Sequence, residues 1–344
     1  MSQEPVSPSI IPVFIPEQGC PHRCVFCDQA GITGRPAALP GRERIRRAVA
    51  EALEKRSPRG KRPVEVAFYG GTLTGLPEEK IRGLLEPVRP FLDNGLVHAI
   101  RVSTRPDALD EEKVRLLRTL GVGTVEVGAH SMDDGVLERS RRGHTAAHTR
   151  AAVGLLRRRG LRVVVQVMVG LPGDSAQSLN RTVEELIALR PHMARLYPVL
   201  VLEGTPLARW TEAGTYRPLA LEEALASCEG ACRTLEEAGI RVIKIGLLPS
   251  SDLVNGNRIV AGPWHPAFGF LVRARLYRKR LLERLPGRRA GGMITIRVPE
   301  REIPLVRGYR NEGLRFIKER TGADVVAVEP DETLPPGGME ILTP

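Results

Sequence analysis

Between about residues 10 and 250, short apolar runs alternate with longer amphipathic stretches. VEVAFYG, HAIRVST, TVEVG, RVVVQVMVG, RLYPVLV and RVIKIG are rich in Val and Ile and read as buried strands. GRERIRRAVAEALEKR, PEEKIRGLLEPVRPFL, LDEEKVRLLRTLG and AHTRAAVGLLRRRG repeat their apolar residues at helical spacing. Strand and helix in repeated alternation predict a parallel sheet with helices outside it, closed or partly closed. The expected fold is α/β: a partial (β/α)6 TIM-like barrel, followed by a small α+β domain. In such barrels the chemistry gathers at the C-terminal ends of the strands.

The pattern changes after residue 250. SSDLVNGNRIVAGPWHPAFG is rich in turn residues, and FLVRARLYRKRLLERL is a strongly basic helix. A compact α+β pattern follows: strand MITIRV, a turn, IPLV, a Gly-containing turn, helix EGLRFIKERTG, and strands ADVVAVEP and MEILT. PGRRAGG, residues 286–292, reads as a linker. The expected organisation is a core barrel over 1–250, linker and basic helix over 251–289, and a small domain over 290–344.

Composition narrows the partners. The 344 residues are 42% hydrophobic, and no apolar run reaches the length of a membrane span, so no membrane is expected as a partner. MSQEPVSPSI has neither a basic n-region nor an apolar h-region, which predicts a cytoplasmic protein. A net charge of +11 suits a polyanion such as nucleic acid, although Arg-favouring codons produce the same excess.

Five cysteines are an odd number, which argues against a disulfide framework. Clustered cysteines in a reducing compartment bind metal or do chemistry. Three of them, Cys20, Cys24 and Cys27, fall within GCPHRCVFCDQ. Soft thiolates suit zinc or an iron–sulfur cluster. A structural zinc site closes four ligands in paired knuckles, and no second knuckle follows; His22 is the other candidate within the loop. Three cysteines on a four-iron cluster leave one iron open. Spacing favours iron–sulfur and leaves zinc open.

The C-x3-C-x-Φ-C loop, with Phe26 before the third cysteine, resembles the cluster-binding loop of the radical S-adenosylmethionine (radical SAM) superfamily. The resemblance implies that Cys20, Cys24 and Cys27 hold a [4Fe–4S] cluster whose open iron chelates S-adenosylmethionine. One electron then cleaves the sulfonium to give a 5′-deoxyadenosyl radical. An electron donor such as a flavodoxin or ferredoxin is implied as well.

Further motifs agree. Gly70-Gly71-Thr72 resembles the glycine-rich turn that holds the methionine amino group, with Thr72 where many members carry Glu. RVSTRPDAL, which contains Ser103 and Thr104, resembles the TRPD segment of the Elongator catalytic subunit. EVGAHSMDDGVLERSRRGHT resembles a segment shared by that subunit and the oxygen-independent coproporphyrinogen oxidases. It implicates Arg142 in binding the cofactor carboxylate, and places His130 where Gln is common. QVMVGLPGD puts Gln166 where the coproporphyrinogen enzymes have a ribose-binding Asp; an amide also bonds a hydroxyl. The resemblance covers about residues 10–250. It does not extend to the acetyltransferase domain of the Elongator subunit, so it implies the radical chemistry and not the acetylated product.

Cys228 and Cys232 share a helix face in EEALASCEGACRTLEEAG and read as buried structural thiols. The basic helix carries Arg273, Arg275, Arg278, Lys279 and Arg280, with Arg284 near its end and Arg288 and Arg289 beyond it; such a cluster suits phosphate contacts or a solvated face. ITIRVPEREIPLVRGYRNEGLRFIKERTGADVVAVEP resembles a KH RNA-binding fold, whose GXXG loop clamps a nucleic-acid backbone. Here Gly308-Tyr309-Arg310-Asn311 stands for that loop, with Asn in place of the second Gly and with Arg307 and Arg310 as further phosphate contacts. The leading reading is a radical SAM enzyme acting on RNA (tRNA or rRNA). The alternatives are a radical SAM enzyme on a small molecule such as a tetrapyrrole, and a non-catalytic iron–sulfur RNA-binding sensor. No general base is evident in the sequence.

Overall fold

The computed structural model describes residues 8–29, 32, 37–56, 62–247, 255, 258–287 and 291–343. Much of the turn-rich stretch after residue 247, and Arg288 and Arg289 of the expected linker, lie outside the described residues. The contacts divide the chain into two compact units: residues 1–224 with 234–264, and residues 225–233 with 265–344.

In the first unit the six expected runs become strands, and a seventh precedes them. The strands are β1 (Ser9–Ile15), β2 (Val64–Gly70), β3 (Ala99–Thr104), β4 (Val122–His130), β5 (Arg162–Val169) and β6 (Met193–Pro198); the short β7 (Val201–Leu202) stands apart, and β8 (Arg241–Ile245) completes the set. The sheet order is β1-β2-β3-β4-β5-β6-β8, parallel at every step. Helices α1 (Arg42–Glu54), α2 (Glu78–Leu85), α3 (Glu111–Thr119), α4 (Ala146–Arg158) and α5 (Ala176–Leu189) alternate with them, and α6 (Leu221–Glu237) precedes β8, its residues 225–233 counted with the second unit. Every residue of β3 is buried, as expected of a parallel strand covered on both faces. Caps start the helices where the sequence offers them: the Asp110 side chain accepts from the Lys113 amide at α3, and Ser175 from Ser178 at α5.

The sheet curls. Arg195 on β6 donates to the Tyr69 hydroxyl on β2 at 3.0 Å, though the two strands are four steps apart in the order. Four steps across a flat sheet span roughly 19 Å. Among the described residues β1 and β8 do not pair with each other, so the barrel stays open.

The concave side carries a buried ion network. Arg101 bonds Glu65 at 2.7 Å and Glu126 at 2.8 Å, and both carboxylates are fully buried. Arg195 adds a contact of 3.0 Å to Glu126, and Arg162 pairs with Glu65. Buried charges persist only when paired and hydrogen-bonded in this way.

In the second unit, β10 (Met293–Val298) is central; β9 (Ile259–Ala261) belongs to the first unit, where it pairs with β7. β10 runs parallel to β11 (Val325–Pro330) and antiparallel to β12 (Glu340–Leu342). The IPLV segment forms a short helix, Ile303–Arg307, ahead of α8 (Glu312–Thr321). The basic helix α7 (Phe268–Leu282) precedes them and belongs to the same unit. Its Tyr277 and Leu281 join Ile294, Ile296, Val298, Val306 and Ile317 in one core, so it is part of the small unit rather than of a linker. Among the described residues no helix is long and apolar enough to cross a membrane.

Candidate active site

Two loops interlock at the C-terminal ends of β1 and β2. Gly71 has no room for a side chain, since a Cβ there would lie 2.0 Å from the Gln18 carbonyl oxygen. Gly19 faces Thr72 in the same way, at 2.1 Å from its carbonyl oxygen, and the Thr72 amide donates to Gln18 at 2.8 Å. Gly70, with φ +112°, adopts a backbone that L side chains rarely take. The glycines therefore bring the cysteine loop onto the end of β2, and Cys20 Sγ comes within 3.2 Å of Thr72 Oγ1.

The motifs converge on one cavity of about 240 Å³. Cys20, Cys24, Phe26 and Cys27 enter from the loop after β1. Gly70, Gly71 and Thr72 enter from β2, and Ser103 and Thr104 from β3. His130, Arg142 and Gln166 complete the set nominated from the sequence. A larger, shallower depression of about 610 Å³ is lined by Asp133, Asp134, Arg181, Glu184 and Glu185. It holds none of the thiols, so chemistry rather than volume identifies the site.

Arg142 is the hinge of the electrostatics. It is 5% exposed; its Nη1 donates to Cys24 Sγ at 2.9 Å and its Nη2 to the Gly128 carbonyl at 2.7 Å. Its Nε is buried without a partner, as are Ser103 Oγ and His130 Nδ1. Buried polar atoms are rarely left unpaired, so this wall is prepared for a polar ligand. Burial, followed by the fields of Arg142, His144 and Arg105, holds the His130 imidazole well below its usual range, and hence neutral. His144 donates to or accepts from its surroundings only through Nε2, 3.1 Å from the Ala129 carbonyl; burial, then Arg142 and Arg105, push its pKa down to about 3. Gln166 donates its amide NH2 to Glu126 at 2.9 Å, which leaves its carbonyl oxygen to accept from a hydroxyl.

The thiols suit a cluster. Burial, then Cys24, Cys20 and Glu17, push the Cys27 thiol up to about 12, so binding iron there displaces a proton. A four-iron cluster takes each thiolate at a different iron. His22, the candidate fourth ligand, is engaged elsewhere. Its Nε2 lies 2.9 Å from the Arg142 carbonyl and 3.2 Å from Arg105 Nη1, and its ring packs against Gly143.

Glu17, Gln29 and Arg105 also line the cavity, although the sequence reading did not nominate them. Gln29 accepts from the Glu17 amide at 2.7 Å and donates to the Gly70 carbonyl, which fastens the cysteine loop to the glycine turn. Arg105 grips both oxygens of Asp107, at 2.9 and 2.8 Å. Burial works against the ionised Asp107, but the Arg105 bonds outweigh it and hold the carboxyl below its usual range. Arg105 and Asp107 are part of the TRPD motif and Gln29 follows the third cysteine by two positions, so adjacency was their one signal.

The nominated basic residues do not form one face. Helical positions advance by about 100° each, so 273, 275, 278, 279 and 280 spread round α7. Arg273, Arg275 and Arg278 are half-buried. Lys279 pairs with Glu229 at 2.5 Å, Arg278 lies over the Phe316 ring, and Arg280 lies over the Tyr277 ring. The helix uses these cations largely for packing within its unit. The loop behaves differently. Gly308 has φ +69°, and Arg310 and Asn311 take left-handed backbone at φ +50° and +60°, so Asn311 does adopt the geometry that lets it stand for glycine. Arg307 and Arg310 are exposed. Gly313, not nominated, lets the two short helices meet, since a Cβ there would lie 2.1 Å from the Val306 carbonyl oxygen.

A half-open parallel barrel with three thiols after its first strand, a glycine turn after its second and a buried arginine between them defines a radical SAM type of site. Comparison with known proteins agrees: the Radical SAM superfamily model matches residues 14–186, and the Radical_SAM C-terminal domain model matches residues 191–278. The chain belongs to the Radical SAM superfamily and is an enzyme of that class. Membership implies a [4Fe–4S] cluster and S-adenosylmethionine.

Among its relatives, an uncharacterized protein of Methanocaldococcus jannaschii is 30% identical over 58% of this chain and 64% of its own length. The tRNA uridine(34) acetyltransferase of the same organism is 27% identical over 72% of this chain and 53% of its own. Elongator complex protein 3 of Mus musculus is 31% identical over 45% of this chain and 32% of its own. The chain thus spans less than two-thirds of the length of these relatives. The solved structure of the archaeal Methanocaldococcus infernus Elp3, lacking its N-terminus, shares the fold: TM-score 0.62 at 24% identity, over 79% of this chain and 63% of that one.

Proposed function

We propose that this protein is a radical SAM enzyme that modifies RNA, with tRNA the favoured class. The observation that carries the reading is convergence: residues nominated from five separated motifs line one small cavity at the strand ends. In this reading Cys20, Cys24 and Cys27 ligate the cluster. When bound, cluster and S-adenosylmethionine together supply a 5′-deoxyadenosyl radical.

The chain's own residues orient and enclose. Arg142 Nε and Ser103 Oγ, both lacking partners, hold the methionine carboxylate. The Gly70–Gly71 backbone and Thr72 hold the amino group, Thr104 supports them through its bond to Thr74, and the Gln166 carbonyl accepts from the ribose. Phe26, tilted against His130 at 5.5 Å between ring centres, forms an apolar wall that excludes water. The Arg142 bond to Cys24 couples the carboxylate pocket to a cluster ligand, and hydrogen bonds to such sulfurs tune the cluster's potential.

RNA as substrate draws its support from two sides. Two relatives are named for a tRNA uridine acetyltransferase and for Elongator complex protein 3. The second unit presents a glycine-led loop with Arg307 and Arg310 exposed between two helices, the arrangement of a backbone clamp. The test is 5′-deoxyadenosine formation by the anaerobically reconstituted, reduced protein, with and without total small RNA. The expected result is formation in both cases and stimulation by RNA. Formation without stimulation moves the substrate to a small molecule; none at all, with the cluster present, removes the assigned site. Cys24→Ala is expected to lose both the cluster and the product.

A further inference from the structure

The concave face of the barrel unit continues past Gln166 to β6 and β8, and a second cationic feature lies there. Arg195 on β6 faces inward, because it reaches Glu126 on β4 and Tyr69 on β2. Its neighbour on β8 is Lys244. The pairing runs Ala194 with Val242 and then Arg195 with Lys244, so Ile243 is skipped as a bulge. In unbroken register Ile243 would stand beside Arg195, and Lys244 would stand beside Leu196, which is fully buried. Side chains on a strand alternate between faces, so the bulge is what turns Lys244 inward.

The result is two cations side by side, and like charges in register repel. Among the described residues no carboxylate pairs with Lys244. Burial and then Arg195 draw its ammonium below the usual range, and no salt bridge reaches it from any described residue. Arg195 has its own orphan, a buried Nε without a partner. Its other nitrogens hold the Tyr197 and Tyr69 hydroxyls at 3.1 and 3.0 Å. Among the described residues, Glu65 and Glu126 are shared by Arg101, Arg162 and Arg195, and Lys244 adds its charge beside Arg195. This end of the chamber is not sealed: Gln166, Met168, Tyr197 and Lys244 are partly buried rather than fully so, and the Arg195 side chain is 15% exposed.

We propose that Arg195 and Lys244, brought together by the bulge at Ile243, form an anion subsite that takes a phosphate group of the substrate. The Lys244 ammonium is the point charge that meets the phosphate, and the Arg195 guanidinium, held by Glu126 and the two tyrosine hydroxyls, adds its positive field behind it. The subsite lies along the same concave face as the cavity, with Gln166 and Glu126 linking the two through one hydrogen bond. It rests on the reading of that cavity as the S-adenosylmethionine site. It does not depend on the substrate being RNA, because RNA's phosphodiester and a free nucleotide's phosphomonoester are both phosphate anions, of one charge and up to two.

The full-length reconstituted protein, with S-adenosylmethionine present, is titrated calorimetrically with uridine, uridine 5′-monophosphate and inorganic phosphate. The nucleotide is expected to bind at least about tenfold more tightly than the nucleoside, and phosphate to compete with it. Lys244→Met is expected to erase that advantage and Lys244→Arg to restore it. Lys80→Met, which removes a charge from the exposed side of α2, keeps the advantage. Equal binding of nucleoside and nucleotide overturns the proposal, and so does an undiminished advantage in Lys244→Met. RNA stimulation of 5′-deoxyadenosine in the same preparation separates the sources. With stimulation, the phosphate belongs to RNA; a nucleotide advantage without it keeps the subsite and discards the RNA reading.

Discussion

The barrel rim and helix α7 are both rich in arginine, and they use it in opposite ways. Arg142 and Arg101, far apart in sequence from most of their partners, are almost fully buried, and each is held by specific acceptors. Arg278 and Arg280, three positions or fewer from further cations, spread round a packed helix and lie over aromatic rings. The more conspicuous charge run is thus the less site-like of the two. Strand ends gather side chains from distant segments onto one point, whereas a helix distributes consecutive side chains over its whole circumference.

The largest expected effect tests whether the rim depends on the ion network beneath it. Arg101→Met leaves Glu65 and Glu126 short of a buried cation and is expected to cost about 3–5 kcal/mol of unfolding free energy, read by chemical denaturation. A cost comparable to that of an exposed pair would make the network incidental. Next, Arg142→Met is expected to weaken S-adenosylmethionine binding about 10- to 100-fold while the cluster stays in place. Unchanged affinity would return Arg142 to the same packing role as the α7 cations.

A smaller effect is a pH dependence. His144 is neutral in the fold with its pKa near 3, whereas the unfolded chain takes up a proton near the ordinary value of 6.5. Its contribution to stability is therefore complete above about pH 6.5 and is lost progressively as pH falls toward 3. Thermal midpoints of the wild type and His144→Gln are expected to converge over that interval as pH falls, and a constant gap would contradict it. The smallest effect separates the loop from α7 in RNA binding. Arg307→Ala and Arg310→Ala are each expected to reduce the salt slope by about 0.7, and Lys279→Ala to leave it unchanged. The reverse result would move the RNA contact to the helix.

Much of this molecule was legible in one dimension. The apolar runs gave the strands of a parallel barrel, because strands covered on both sides must be almost wholly apolar. The cysteine spacing and the glycine turn marked residues that line one cavity, since both are local chemistry written over a few consecutive residues. Less legible were Gln29 and Arg105, whose contacts act between loops, and the ion pairs of Arg101, whose neighbours along β3 look like ordinary alternation. The basic helix shows the converse: a charge run is visible in sequence, while the partners that some of its cations meet, Glu229, Tyr277 and Phe316, come from other segments or from its own packed face.

The sequence by itself determined the class of fold, the thiol triad, the glycines that let the backbones meet and the Asn311 that takes left-handed geometry. Those follow from periodicity, ligand chemistry and backbone sterics, all of which operate over short stretches. Only the tertiary structure decided which polar atoms stay orphaned, that His22 ties the cysteine loop to Arg142 and Arg105, and that a single skipped residue turns Lys244 toward Arg195. Register and cross-sheet reach depend on how strands many residues apart are laid side by side, and one residue of slip moves a side chain to the opposite face.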